Sequence, residues 1–367
     1  MKNDIKVVII GGGIGGAATA LALQKKGIQA HLYEQASALT EIGAGIVLHS
    51  PAVDLLYKWE VGNVLEEVGI PIKTMEVYTE QGQFVSSLDL LTNGAQKELE
   101  ATVYLDESDS TSKLKQRFIH RAHLLDMLLS PLSSEYIHLN HKCESIFEYE
   151  DYVEIHFTNG EIVQADAVIA ANGIHSNTRK MFSEDEPIYS GLHAIRMVLT
   201  REATKHIAKE NSTVTYQDAK THALALITHV KDGTAIDTTF LTEDPSWILE
   251  LEKEDILSQI GHFDEGFVRL FDEIEYPIKS RALYYRKPID RWSTKRITLL
   301  GDAAHAMMPS LGQGANSAIQ DAGAIANAFS NFNTVAEALQ HYENERRPIT
   351  TAIQNGSSDY KKFVFVK

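Results

Sequence analysis

Cysteine is almost absent from this chain of 367 residues, which contains Cys143 alone. A single thiol excludes an internal disulfide and any metal site built from several cysteines. The close histidine pairs, His120 with His123 and His138 with His141, lack the H-E-x-x-H spacing of a helical zinc site. We therefore expect no bound metal and a reducing compartment, the cytoplasm.

Positive charge is also in short supply, because 34 lysines and arginines face 50 acidic residues and the formal net charge is −16. This excess of acid argues against nucleic acid or an anionic membrane as a partner. The most apolar stretch, residues 7–23, follows Lys2 and Lys6 in the manner of a signal peptide. Five glycines interrupt it, so it predicts neither a secretory signal nor a membrane span of about 20 apolar residues.

The glycines of that stretch form a pattern of their own. Residues 5–10 are apolar and rich in β-branched side chains, as in a buried parallel strand, and a predicted helix runs on to Lys26. Between them, Gly11, Gly13 and Gly16 give G-x-G-x-x-G. In such a strand–turn–helix unit, the glycines permit a tight turn, close approach of a pyrophosphate and close helix packing. The pattern predicts a dinucleotide site.

A carboxylate follows at the expected distance. Residues 29–33 read as a second strand, and Glu34 comes directly after it. An acid in this place accepts hydrogen bonds from ribose hydroxyls, which favours an unphosphorylated ribose such as that of FAD or NAD.

A second glycine-rich segment lies about 290 residues further along the chain. Gly301 and Asp302 end an apolar strand, and Asp302 is placed to accept hydrogen bonds from a polyol such as a ribityl chain. Residues 312–316 lead into a helix predicted to reach Phe329. The positive N-terminal end of this helix favours the negative charge of a reduced flavin. Together the two segments predict that one long cofactor is bound at both of its ends.

The middle of the chain has more strand character. Residues 165–171 read as an apolar strand that ends at Asn172, where ligands bind in α/β sheets. From residue 187 to about 285 the pattern predicts a sheet-based domain inserted into the first domain as a substrate cover. It includes strands at 221–229 and 235–241 and a helix at 245–260.

With these motifs in view, nearly the whole chain resembles the flavoprotein aromatic hydroxylases, the group A FAD monooxygenases. The salicylate and 3-hydroxybenzoate hydroxylase branch is the most similar, and urate and 6-hydroxynicotinate hydroxylases are near it. The segments that carry the resemblance are Gly11-x-Gly13-x-x-Gly16 with Glu34, residues 41–46, His120-Arg121-x-x-Leu124, Asn172-Gly173-x-x-Ser176-x-x-Arg179, residues 301–305 with Pro309, Gly312-x-Gly314-x-Asn316, and residues 342–348.

The resemblance implies an α/β fold. It consists of a Rossmann-like FAD-binding domain of the glutathione-reductase type, an inserted sheet-based substrate domain and a C-terminal helix. The expected boundaries are 1–72, 113–183 and 286–350 for the FAD-binding domain, 73–112 and 184–285 for the substrate domain, and 351–367 for a tail.

The resemblance also implies a reaction. NADH or NADPH reduces one FAD, and one oxygen atom of O2 enters a small phenolic or heteroaromatic acid through a flavin C4a-hydroperoxide. The expected partners are therefore the aromatic substrate, NAD(P)H and O2, and the expected assembly is a monomer or homodimer. Two alternatives stay open: an FAD monooxygenase of a non-phenolic substrate, of the epoxidase or antibiotic-inactivating type, and a non-catalytic flavin-binding protein. A plain NAD-dependent dehydrogenase would leave Gly301 and Asp302 without a role.

Cofactor residues follow from the matching motifs. Asn172, Gly173 and Arg179 belong to the motif linked to both FAD and the pyridine nucleotide. Gln35 stands where the family commonly has arginine, and Asn172 where it has aspartate, so the handling of the nicotinamide stays open. The residues expected to bind FAD are Gly11, Gly13, Ile14, Gly16, Glu34, Gln35, Gly45, Arg121, Asp302, Pro309, Gly312, Gly314, Ala315 and Asn316.

Three residues are candidates for the substrate side. His222 is a candidate base toward a phenol, because an unperturbed imidazole has a pKa of about 6.5. Tyr216 is a candidate to assist it. Arg196 is placed either to meet a substrate carboxylate or to form a structural ion pair.

Overall fold

The protein is described here from a computed structural model, over residues 5–39, 45–89 and 116–358. A five-stranded sheet forms its centre, and all neighbouring strands in it are parallel. In spatial order the strands are Ile297–Leu299, Ala167–Ala170, Val7–Ile10, Ala30–Tyr33 and Ile137–His138.

Both faces of this sheet are covered, which explains why its strands are apolar without alternation. On one face the helix Ile14–Lys25 packs between the helices Arg121–Leu129 and Gly314–Asn331. On the other face, residues such as Val8 and Tyr33 pack on a three-stranded antiparallel sheet. Its strands are Cys143–Glu148, Val153–Phe157 and Ile162–Ala165.

A second, larger sheet has eight strands and is mixed. Its pairs are antiparallel except for the parallel pair of Thr74–Thr79 with Ser212–Gln217. In spatial order the strands are Ile248–Leu251, Ile278–Tyr285, Ile188–Leu199, Gly233–Leu241, Leu224–Val230, Ser212–Gln217, Thr74–Thr79 and Phe84–Asp89.

The two faces of the eight-stranded sheet have different neighbours. One face buries Ile195, Ile236 and Tyr216 against the short helices Lys253–Ile260 and Glu265–Val268. We call this the helix-facing side. The opposite face packs on Val47, Phe118 and Met308, and we call it the flavin-facing side because the flavin is expected there.

The remaining elements connect these layers. A small antiparallel sheet consists of Gly45–Leu48, Arg117–His120 and Ile70–Pro71. The other α-helices are Ser50–Lys58, Gly62–Val68, Arg201–Thr204, Asp302–His305 and Val335–Ser358, and the 3-10 turns are Ser134–Tyr136, Thr178–Met181, Arg269–Asp272 and Pro309–Leu311. No helix in the described ranges is long and apolar enough to cross a membrane.

The predicted fold class is confirmed, but two predicted elements are wrong. Residues 245–260 were expected to be helical, yet Ile248–Leu251 is an edge strand that pairs with Ile278–Tyr285. The helix starts only at Lys253, because Glu252 and Asp255 form a capping box there. The strand expected from residue 221 starts at Leu224, because the preceding residues form a turn.

The domain boundaries stay a prediction. The C-terminal helix continues to Ser358, so it includes the first residues of the segment 351–367 that was expected to be a tail. Gln354 anchors this extension by donating hydrogen bonds to the backbone oxygens of Arg286 and Ala306. Residues 40–44, 90–115 and 359–367 lie outside the described ranges, and so do parts of three predictions: the motif at 41–46, the segment 73–112 and the tail.

Candidate functional site

The three glycines of the first motif meet three different surroundings. Gly11 has a φ of +105°, and a Cβ atom there would lie 2.4 Å from the backbone oxygen of Ala171. A Cβ at Gly16 would lie 1.8 Å from the oxygen of Gly11, whereas a Cβ at Gly13 would meet nothing within 4 Å. The turn and the helix packing therefore use the outer two glycines, and the middle one borders open space. The helix that begins at Ile14 has no acidic residue in its first turn and no side-chain cap, so its positive end is available to an anion.

Glu34 is fixed beside this loop. Its carboxylate accepts hydrogen bonds from the backbone N–H groups of Gly12 at 2.6 Å and Ala36 at 2.9 Å. The following Gln35 is exposed. The acid thus lies at the carboxyl end of its strand, where the ribose is expected.

The small sheet brings two other predicted residues together. Gly45 pairs with His120, and Arg121 follows His120 as the first residue of its helix. A Cβ at Gly45 would lie 1.8 Å from the ring of Phe118, so only glycine fits. Arg121 is partly buried at this junction.

At the flavin end, Asp302 is exposed and follows Gly301, which has a φ of +61°. Asn316 is fully buried and accepts a hydrogen bond from the N–H of His49 at 2.8 Å. Its amide nitrogen donates to the backbone oxygens of Val47 and Gly312. Asn316 therefore holds two loops in place through their backbones.

The start of the helix Gly314–Asn331 contains two orphaned polar atoms. Nε2 of Gln313 and Oγ of Ser317 are buried and have no hydrogen-bond partner among the described residues. A Cβ at Gly314 would meet nothing within 4 Å, and neither a side-chain cap nor an acid blocks the helix end. Leaving a buried polar group unpaired costs about 1–3 kcal/mol, so the arrangement fits the polar edge of a bound flavin. Sequence reasoning missed Gln313, although it lies inside the motif with Pro309, Ala315 and the two glycines.

A charged network is buried under this end of the site. Asp321 is fully buried, and its carboxylate contacts Nε2 of His305 at 2.6 Å and Nε of Arg346 at 2.8 Å. The N–H of Gly301 also donates to it, at 3.3 Å. Burial alone would raise the pKa of Asp321, but His305 and Arg346 lower it below the ordinary value. The network thus connects the C-terminal helix to the turn that presents Asp302.

Arg179 also stabilises the turn that presents Asp302, through the residues that follow this aspartate. It is 1% exposed and donates two hydrogen bonds to the carboxylate of Asp185. Its remaining N–H groups donate to the backbone oxygens of Ala303, Ala304 and Lys287. All five donors of the guanidinium thus point at protein acceptors.

Asn172 and Gly173 lie at the carboxyl end of the neighbouring strand. Nδ2 of Asn172 donates to Asn177 at 3.1 Å, whereas its Oδ1 is buried without a partner in the described part of the chain. Gly173 has a φ of +76°, which glycine adopts readily. Asn172 therefore keeps one unused acceptor at the edge of the sheet that also carries Gly11 and Gly301.

Two substrate-side candidates lie on opposite faces of the eight-stranded sheet. Arg196 pairs with Asp237 on the flavin-facing side, Nε to Oδ2 at 2.7 Å, and the carboxylate raises the pKa of Arg196. Tyr216 lies on the helix-facing side, where it stacks on Tyr78 and Phe267. Burial raises the pKa of Tyr216 to about 12. The structure thus does not bring Tyr216 to the side of Arg196.

His222 belongs to the turn before Leu224 and not to a strand. It has a left-handed φ of +59°, and its N–H donates to the backbone oxygen of Asp218. The carboxylate of Asp218 accepts hydrogen bonds from Thr221 and from the N–H of Lys220, and it contacts Nε2 of His262 at 2.7 Å. Asp218 therefore organises the turn that carries His222.

We predict a pH-dependent effect at Asp218. Burial alone would raise its pKa, but the hydrogen bonds lower it to about 2 from 3.8. Because the folded pKa is depressed, the stabilisation is complete above pH 3.8 and is lost as pH falls toward 2. Asp218→Asn should lower the free energy of unfolding by about 2 kcal/mol at pH 7 and by about half as much at pH 3, measured by urea denaturation. Asp232→Asn, at the exposed ion pair with His123, is the control and should change it by less than about 0.5 kcal/mol. An Asp218→Asn effect that does not diminish at pH 3 would contradict the prediction.

Comparison with known proteins adds a family. The profile of a family described as "FAD binding domain" matches residues 4–357. The 3-amino-4-hydroxybenzoate 2-monooxygenase of Streptomyces cremeus is 27% identical over 356 residues, which cover 96% of this chain and 86% of that protein. The 6-hydroxynicotinate 3-monooxygenase of Bordetella bronchiseptica is 25% identical and covers 98% of this chain and 92% of its own length.

Solved structures share the fold. Klebsiella pneumoniae HpxO, complexed with FAD and uric acid, superposes with a TM-score of 0.84 at 22% identity, covering 99% of this chain and 89% of its own. A salicylate hydroxylase in its substrate complex gives a TM-score of 0.78 at 23% identity, with coverages of 98% and 89%.

Proposed function

The chain belongs to the FAD binding domain family and is an FAD-dependent monooxygenase, and from this premise we propose that it hydroxylates a small aromatic or heteroaromatic compound with O2 and NADH or NADPH. The observation that carries the proposal is the position of the two glycine segments. Gly11 and Gly301 end strands of the same parallel sheet, with only Ala167–Ala170 between them. Both segments therefore lie at the carboxyl ends of the strands, where ligands bind in such sheets.

FAD, when bound, supplies the electrons taken from the nicotinamide and activates O2. The chain's own residues bind and orient it. We propose that Glu34 accepts the ribose hydroxyls and that the open helix end beside Gly13 faces the pyrophosphate. Asp302 then accepts hydrogen bonds from the ribityl chain, and Gln313 donates to the flavin at the end of the helix Gly314–Asn331.

The eight-stranded sheet covers the flavin end. On its flavin-facing side, Leu192 and Ala194 are buried against Met308, next to Pro309. These apolar contacts exclude water from the reacting atoms, which suppresses loss of activated oxygen to solvent. Relatives that act on hydroxybenzoate and hydroxynicotinate derivatives support a ring substrate.

We also propose roles for individual residues, a compartment and an assembly, which membership of the family does not determine. We propose Asn172 and Gly173 as part of the nicotinamide path, and Arg196 as the substrate-side residue among the three candidates. We favour a cytoplasmic location, because the single cysteine, Cys143, fits a reducing compartment, and we propose a monomer or homodimer as the assembly.

The test is the visible spectrum of the purified protein, followed by NAD(P)H oxidation with a panel of phenolic and heteroaromatic acids. We expect flavin bands and oxidation stimulated by at least one ring compound, together with a hydroxylated product. A flavin spectrum without stimulation by any ring would favour a non-phenolic substrate or a non-catalytic flavin protein. A colourless protein that does not take up FAD would overturn the proposal.

A further inference from the structure

The ion pair of Arg196 and Asp237 lies on the part of the sheet that covers the flavin end. Next to Arg196 on the same strand and face, Ala194 packs on Met308. Next to Asp237 on its own strand, Ala235 belongs to a cluster packed with Val47. Because alternate residues of a strand share a face, these apolar contacts on both sides place the ion pair over the segments that lead to Gly312.

Arg196 and Asp237 use only part of their hydrogen-bonding capacity on each other. Nε of Arg196 donates to one oxygen of Asp237 at 2.7 Å, and the two side chains are 30% and 27% exposed. Neither the terminal nitrogens of Arg196 nor Oδ1 of Asp237 has a partner among the described residues. The pair therefore presents free donors beside a free acceptor on the flavin-facing side of the eight-stranded sheet.

The net charge of the Arg196–Asp237 pair determines which ligand groups it can bind. The positive and negative charges cancel, and Asp237 would repel a carboxylate that approached Arg196. A neutral group that accepts a hydrogen bond at one atom and donates one from the next atom meets no such repulsion. An anion has a better partner in Arg281, which pairs with Ala194 on the adjacent strand and has no ion pair with any described residue.

The neighbours of the pair suit a flat ring. Leu226 lies opposite Asp237 on the next strand, and Thr215 lies opposite Leu226. Both are on the flavin-facing side, and Leu226 packs with the Val47 cluster. A ring whose polar edge meets the ion pair would lie with its apolar face on Leu226.

We propose that Arg196 and Asp237 together recognise a hydroxy-substituted nitrogen heteroaromatic in its lactam form, a ring with N–H next to C=O. Arg196 donates to the carbonyl oxygen, and Asp237 accepts the N–H. The hydrogen bond to the carboxylate increases electron density in the ring, which favours electrophilic oxygen transfer to it. This inference rests on the proposed function and narrows its substrate class.

The test measures binding to the FAD-loaded enzyme, without turnover, from the change in flavin absorption. The probes are 2-pyridone, which carries the lactam edge, and benzoate, which carries an anion. We expect 2-pyridone to bind at least about tenfold more tightly than benzoate. Asp237→Asn should weaken 2-pyridone about tenfold, the loss expected for one charge-assisted hydrogen bond, and should strengthen benzoate, because the repelling charge is gone.

Opposite shifts in one variant cannot arise from damage to the fold. Arg281→Gln is the matched control, and it should weaken benzoate while leaving 2-pyridone within about twofold. The inference is overturned if the wild type prefers benzoate, if 2-pyridone causes no change at its solubility limit, or if Asp237→Asn moves both affinities in the same direction. Failure to bind FAD would instead count against the proposed function, so the two failures are distinguishable.

Discussion

Asp321→Asn is expected to lower the free energy of unfolding by about 3–5 kcal/mol, the usual cost of removing one partner of a buried ion pair. The carboxylate is fully buried and is the counter-ion of Arg346, which is 5% exposed. Asparagine keeps the shape but leaves the guanidinium buried without its charge partner. The other contacts of Arg346, to Gln320 and Ser317, are long at 3.5 Å and would not replace it. Urea denaturation of the apoprotein at pH 7 measures the effect.

The C-terminal helix offers a matched control. Glu345 lies next to Arg346 and faces solvent, where it is 3.5 Å from His341. Glu345→Gln should change the free energy of unfolding by less than about 0.5 kcal/mol, since exposed pairs contribute little. Equal losses in the two variants would show that the buried network does not carry the stability assigned to it.

The same network gives the effect a pH dependence. His305 and Arg346 lower the pKa of Asp321 against the opposing effect of burial. A depressed pKa in the folded state means that the stabilisation is present above the ordinary carboxyl pKa of 3.8 and is lost as pH falls below it. The difference between wild type and Asp321→Asn should therefore shrink in acid. Because Gly301 donates to the same carboxylate, FAD affinity should fall as well.

Local motifs allowed part of the site to be predicted from sequence. The turn at Gly11, the packing at Gly16 and the acid at Glu34 all fall within one strand–turn–helix–strand unit. In such a unit the backbone geometry follows from neighbours along the chain, so the residue types alone restrict the structure. The same applies to Gly173, whose positive φ lies directly after an apolar strand.

Contacts between distant segments could not be predicted in this way. The face occupied by Tyr216 depends on a register that runs through Ala225 and Thr238 to Ile195, across three strand pairs. A shift of one residue in any pair would move Tyr216 to the other face. Since the sequence alone does not determine that register, both Tyr216 and Arg196 could be proposed for the substrate side.

The partners of charged residues raise the same difficulty. Arg179 was recognised by its motif, but its acceptors at Ala303, Ala304 and Lys287 are more than 100 residues away in sequence. Asp185, which lies only six residues away, gave no signal either. Ion-pair partners depend on the packing of whole elements, and a single sequence contains no direct measure of that packing.

Gly13→Ala is expected to separate cofactor binding from folding. Gly13 has φ −70° and ψ −173°, an extended conformation that alanine adopts without strain, and the added methyl would meet no protein atom within 4 Å. The free energy of unfolding of the apoprotein should therefore change by less than about 1 kcal/mol. FAD affinity should fall about tenfold to a hundredfold, because the methyl occupies the space where the pyrophosphate approaches the backbone. The charged hydrogen bonds between the pyrophosphate and the backbone N–H groups are then lost. Titration of the apoprotein with FAD, followed by flavin fluorescence, measures it.

Gly16→Ala makes the comparison decisive, since it adds the same methyl group one helical turn away. There the methyl would lie 1.8 Å from the backbone oxygen of Gly11, and a backbone atom cannot move aside as a flexible side chain can. This variant should lose about 3 kcal/mol or more of stability, and FAD binding with it. If Gly13→Ala bound FAD with unchanged affinity, the open space at Gly13 would not be the phosphate position. If it lost stability as Gly16→Ala does, the position would not be open. Only weak FAD binding by a stably folded Gly13→Ala protein agrees with a cradle whose outer glycines hold the fold and whose middle glycine makes room for the cofactor.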